Sequence, residues 1–180
     1  MMIPPNVHPT LFINKDSNYI LFKTAIYFAE LGLNVWFISP KVFDKIPDNI
    51  TSPDKETLEI ITFVYLQDYK SLINHLNAIH LWHKMPRVII LAGFETYTNL
   101  CKEKYNPLLS GIVSCSILDS ASVCFKKNEK PTFIIASTEE VPGTYMDRFQ
   151  AIHDLYFPNV IEQGFCRPVS SINSKAKLTL

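Results

Sequence analysis

The 180-residue sequence predicts an α/β fold, a mostly parallel sheet with helices on both faces, and three observations carry the prediction. Apolar runs that read as strands alternate along the chain with segments of helical period, the order that builds parallel sheets. The strand runs are continuously apolar, as expected where both faces of a sheet are covered. Hydrophobic residues make up 47% and charged residues 19%, which suits a chain that buries a core and excludes a disordered one.

Each element has its own justification. Residues 10-TLFI-13 read as a short strand, and Asn14, Lys15, Asp16 and Ser17 turn into a helix capped by Asp16 or Ser17 and ended by Gly32. That helix is apolar nearly all round from Tyr19 to Leu31, which predicts burial on more than one side. The run 34-NVWFIS-39 is a buried strand stopped by Pro40, and 41–57, with its two prolines, reads as loop. A β-branched and aromatic run, 58-LEIITFVYL-66, predicts a third strand. Leu72, Ile73, Leu76, Ile79 and Leu81 are spaced for a helix from about Asp68 to His83. Next come a buried strand in 87-RVIILAGFE-95, a long helix from about Asn106 to Phe125 and a strand at 132-TFIIAS-137. A last helix from about Tyr145 to Tyr156 leads to a possible edge strand in 159-NVIEQGF-165. One domain over 1–166 and a polar tail over 167–180 are expected.

Lys plus Arg equals Asp plus Glu at 17 each, which excludes a dominant phosphate-attracting field and leaves room only for a local basic patch. The densest is 126-KKNEK-130, read as a turn, where Lys126, Lys127 and Lys130 are candidates for a nucleic-acid backbone. Cys101, Cys115, Cys124 and Cys166 form no CxxC pair and are expected to be reduced, mostly buried thiols. The N-terminus has no basic segment followed by an apolar one, and no uninterrupted apolar run reaches the roughly 18 residues of a membrane span, so a soluble intracellular protein is expected.

In an open parallel sheet the ligand site lies at the carboxyl ends of the strands, here Asn14–Ser17, Ser39–Lys41, Ala92–Glu95 and Ser137–Glu140. A phosphate cradle needs glycines that let successive N–H groups turn inward, a lysine, and a hydroxyl for magnesium. The Asn14-Lys15-Asp16-Ser17 stretch has no glycine, and Asp16 beside Lys15 repels phosphate. At the end of the fourth strand, where a hydrolase places an acidic metal ligand, stands Ala92. Losing both cradle and metal ligand predicts a protein that does not hydrolyse nucleotides. Three other features are read as structural: His80 and His83 as helix-end residues, Glu95 as a cap or solvated acid, and the Phe22/Ala25 FxxA pair as core.

Strand, degenerate phosphate loop, helix, strand, then a strand ending at the metal-ligand position is the order of a RecA-like, P-loop-type core. The segments 35-VWFISPKVFDKIP-47, 58-LEIITFVYL-66, RVIILAGFETY, TFIIASTEE and 155-LYFPNVIEQ-163 resemble the RecA-like recombinase paralogues associated with SWIM-type zinc-finger proteins, the ATPase-like subunit of the metazoan Shu complex. The resemblance covers about residues 10–165. It implies a nuclear, non-catalytic subunit without a cofactor, paired with a SWIM-domain zinc protein in a hetero-oligomer. Such a subunit would bind single-stranded DNA and support recombinase assembly in homologous recombination repair. It also implies that the chain stops short of the last strands of a full RecA core. Two other expectations compete: a nucleotide-binding enzyme using Lys15, Glu95 and Glu139, and an α/β scaffold unrelated to recombination.

Overall fold

The computed structural model describes residues 3–13, 17–43, 47, 50–138 and 142–162. Six strands form one sheet in the order β3-β2-β4-β5-β1-β6. They are β1 (Val7–Ile13), β2 (Val35–Ser39), β3 (Ile61–Tyr65), β4 (Val88–Leu91), β5 (Thr132–Thr138) and β6 (Asn159–Glu162), and every pairing is parallel. The fold class read from the sequence therefore holds. β5 stands between β1 and β4.

The continuous apolar runs are resolved by the two-residue period of a strand into two cores. Ile89 and Leu91 of β4, Trp36 and Ile38 of β2, and Ile134 and Ala136 of β5 face one layer. That layer is made of α3 (Tyr69–Asn77), α4 (Phe94–Thr98), α5 (Pro107–Asn128) and α6 (Met146–Tyr156). Val88, Ile90, Val35, Phe37 and Ile135 face the other, made chiefly of α1 (Ser17–Glu30). Here Phe22 packs on Phe37 and Phe63, at centroid distances of 4.9 and 5.7 Å, and Ala25 is fully buried, so the FxxA pair belongs to the core.

Gly32 acts as read, and Asp68 caps a helix that the sequence reading only began there. Gly32, at φ 73°, closes α1: its N–H donates to Ala29 O and that of Leu33 to Phe28 O, the two bonds that satisfy the last carbonyls of a helix. Asp68 caps α3 by accepting from the Ser71 N–H at 2.8 Å, which holds its carboxyl below the usual range. The alternative caps of α1, Asp16 and the Ser17 side chain, lie outside the described residues, as do Cys166, the 163–165 end of the expected edge strand and the polar tail 167–180.

Other expectations are corrected. The first strand begins at Val7, so Pro9 lies inside it; the Pro9 carbonyl accepts from the Asn159 side chain, and β6 pairs with β1 only from Thr10 onward. The missing N–H of Pro9 therefore faces a side where no ladder bond is made. α1 is buried on one broad face, while Lys23, Tyr27, Glu30 and Leu31 are exposed. The run at 58–66 is split: α2 (Lys55–Ile60), capped by Asp54 at the Thr57 N–H, occupies its first three residues, and only Ile61–Tyr65 is strand. Capping chemistry within the expected loop outweighed β propensity there. The helix from Asp68 ends at Asn77, and Ile79–Leu81 is a separate 3₁₀ turn. α5 runs three residues further than predicted, to Asn128. It is long and apolar enough to cross a membrane by length and composition, and it lies against the sheet with Val113, Ile117, Leu118, Ala121 and Cys124 buried.

Candidate functional site

The carboxyl ends of β1, β2, β4 and β5 converge on one edge of the sheet. Ala92 follows β4 directly; its N–H donates to Ile38 O at 2.9 Å and it is 3% exposed. It continues the alternation of Val88 and Ile90 onto the α1 face and packs in the cluster that holds Phe12, Leu21, Phe22 and Ile90. A metal-ligand carboxylate at this position would stand among apolar side chains.

Gly93 makes the next link with φ 68°, a left-handed conformation. A Cβ here would come within 3.2 Å of Pro40 Cγ, so the end of β4 lies tightly against the turn that ends β2. That turn is held by the Ser39 hydroxyl, which accepts from the Lys41 N–H and donates to Lys41 O. Gly93 also opens α4, a short helix that the sequence reading missed. Glu95 lies in its first turn, and Tyr97 and Thr98 are fully buried. The Tyr97 hydroxyl donates to Leu66 O at 2.7 Å, and burial raises its pKa well above the usual phenol range. The sequence signal for this helix was the Gly-Phe-Glu-Thr-Tyr run after the strand, with its acidic residue in the first turn.

At the end of β5, Ser137 and Thr138 are fully buried, and their hydroxyls find no hydrogen-bond partner among the described residues. The loop candidates Asn14, Lys15 and Asp16, together with Glu139 and Glu140, lie outside the described residues. The elements on either side set one limit. β1 ends at Ile13 and α1 starts at Ser17, so three residues connect them, too few to wrap a triphosphate.

The basic candidates lie at the opposite edge of the sheet and are not confined to a turn. Lys126 and Lys127 sit on the last turn of α5, Glu129 ends it with φ 54°, and Lys130 follows just before β5. All three lysines are exposed. Lys127 Nζ donates to the Trp82 carbonyl at 3.5 Å. His80 and His83 are exposed, with His80 Nδ1 3.0 Å from Asn77 O, and no cluster of three metal-ligating side chains occurs among the described residues. The α3 histidine that packs is His75, which lies 4.7 Å from Trp36 and 5.4 Å from Trp82 between ring centroids. Among the cysteines Cys124 is buried, its thiol pushed up to about 12 by burial, whereas Cys101 and Cys115 are half-buried, against the expectation of mostly buried thiols.

No protein-family model matches the sequence, and no curated protein matches it. Among solved structures, the chain is similar to the crystal structure of the flagellar accessory protein FlaH from Methanocaldococcus jannaschii, with a TM-score of 0.46 and 11% identity over 83% of this chain and 69% of that one.

Proposed function

We propose that the chain is a non-catalytic RecA-like subunit that acts by binding: it pairs with a SWIM-domain zinc protein and supports recombinase assembly on single-stranded DNA in the nucleus. The observation that carries the non-catalytic part is Ala92, an alanine packed into the α1 core where a nucleotide hydrolase of this strand order needs a metal ligand. The three-residue β1–α1 connection supports it independently. The partner and the DNA role come from the resemblance of the FISPKVFDKIP and LYFPN segments. Exposed Leu108, Ile112 and Leu155 on α5 and α6 give apolar surface that a partner would cover, and β6 forms one edge of the sheet.

Co-expression is the test. Mutual stabilisation follows from mass action, because a partner that binds only the folded chain raises its apparent stability. The expected result is a soluble complex with a SWIM-domain protein and a chain that aggregates when made alone. A monodisperse monomer whose melting temperature is unmoved by the SWIM-domain protein would overturn the subunit reading.

A second reading, a nucleotide site at the strand ends using Lys15, Glu95 and Glu139, is favoured by the unpartnered hydroxyls of Ser137 and Thr138. Titration calorimetry with Mg-ATP separates the two. Heat of binding, together with turnover lost on Lys15→Ala, would establish the second reading.

A further inference from the structure

The amino edge of the sheet carries a feature that lysine counting alone does not reach. Residues 81-LWHK-84 are exposed one after another, with Leu81 at 70% and Trp82 at 40%. An exposed tryptophan is unusual, and this one is held in place. Its ring meets Trp36 edge to face at 5.3 Å, His75 packs against both, and its carbonyl accepts from Lys127 Nζ. Arg87 ties the other end of the patch down, donating from Nε and Nη2 to the Pro131 carbonyl beside Lys130. Lys84 stands two residues after Trp82, Lys127 bonds to its carbonyl, and Lys126 and Lys130 are exposed on the same stretch as Lys127 with Glu129 as its acid, a local excess of cations in a chain whose 17 cations and 17 acids cancel overall.

A fixed, half-exposed aromatic ring beside clustered ammonium groups is the chemistry that binds single-stranded nucleic acid: bases stack on the ring and the lysines neutralise phosphates. A duplex keeps its bases stacked on one another and offers the ring nothing. We infer that Trp82 stacks an unpaired base while Lys84, Lys126, Lys127 and Lys130 hold the adjoining phosphates. The surface deepens the DNA arm of the proposed function and rests on it, and it adds an aromatic platform at the edge opposite Ala92.

The chain has two tryptophans, and Trp36 is 2% exposed, so fluorescence can read Trp82 directly. In the full-length Trp36→Phe variant, titration with an unlabelled 20-nucleotide oligo(dT) at low salt is expected to quench the emission, and the same sequence as duplex is not. By anisotropy with the labelled oligonucleotide, Trp82→Ala is expected to weaken binding about tenfold and Trp82→Phe to restore most of it. Replacing Lys126, Lys127 and Lys130 by Ala is expected to flatten the dependence of log K on log salt by about 2, at about 0.7 for each phosphate that is no longer neutralised.

No quenching, or an unchanged salt slope in the triple variant, overturns the assignment. So does a blue shift with phosphatidylserine vesicles and no response to oligo(dT), which would make this a lipid-binding surface. The two proposals fail separately. Capture of a SWIM-domain protein without oligo(dT) quenching removes this surface and leaves the subunit reading. Quenching without capture does the reverse.

Discussion

Replacing Ala92 by aspartate puts a carboxylate directly after β4, and the packing around it predicts a loss of stability rather than a gain. The site is 3% exposed and lies in the cluster of Phe12, Leu21, Phe22 and Ile90. Burial there disfavours the charged form and raises the aspartate pKa. A rise of about two to three units, at about 1.4 kcal/mol each, makes a destabilisation of about 3–4 kcal/mol at pH 7.5. Because the folded pKa lies above the unfolded one, the penalty is absent below the unfolded pKa of about 3.9 and grows as pH rises toward the folded value. Ala92→Asn adds nearly the same volume without the charge and should cost only about 1–2 kcal/mol, nearly independent of pH. Urea melts of the three proteins at pH 4.5 and 7.5 separate size from charge. With a slope of about 2 kcal/mol per molar, the Asp midpoint should lie roughly 1.5–2 M below the Asn midpoint at pH 7.5, and much closer to it at pH 4.5. Mg-ATP should neither restore the midpoint nor elicit hydrolysis, since the connection between β1 and α1 has three residues. An Ala92→Asp protein as stable as Ala92→Asn at pH 7.5, or one stabilised by Mg-ATP, would refute the packed-core account of this position.

Three further expectations follow from single interactions. Tyr97→Phe removes the donor to Leu66 O and leaves that carbonyl without its bond beside a fully buried ring, so stability should fall by about 1–2 kcal/mol in a urea melt. Glu129→Gly relieves a left-handed residue at the end of α5 and should raise stability by up to about 1 kcal/mol; a decrease would show that the Glu129 side chain holds a favourable interaction. Burial lowers the His75 pKa, and its Nε2 is buried without a hydrogen-bond partner among the described residues. The native state thus favours neutral His75, and stability present above pH 6.5 is lost as pH falls below that value. The urea midpoint should drop between about pH 7.5 and 5.5, and drop less in His75→Phe.

Most of the sheet was legible because its strands are short apolar runs between punctuating residues: Pro40 after β2, Ala92-Gly93 after β4, Gly32 after α1. The failures have two causes. Where two signals overlapped within a few residues, the local bond decided, as at Asp54, whose cap on Thr57 converts Leu58–Ile60 to helix within an apparently continuous β run. Pro9 hid the first half of β1, because the sequence does not say which side of a strand lacks a neighbour. At the site, the place of Ala92 directly after a buried strand was readable, since the apolar run stops at Ala92-Gly93. Trp82 was not, because its partners Trp36, His75 and Lys127 are 46, 7 and 45 residues away and meet only through the tertiary fold.

The two edges of the sheet therefore differ in kind. At the carboxyl edge Gly93 is tight against Pro40, Ala92 is sealed under α1 and Tyr97 is bonded to Leu66 O, while the buried hydroxyls of Ser137 and Thr138 have no partner among the described residues. At the amino edge an aromatic ring and several lysines are exposed. Core packing favours a small apolar residue at position 92, and an aspartate there would have to be accompanied by changes in the α1 packing before it was accommodated.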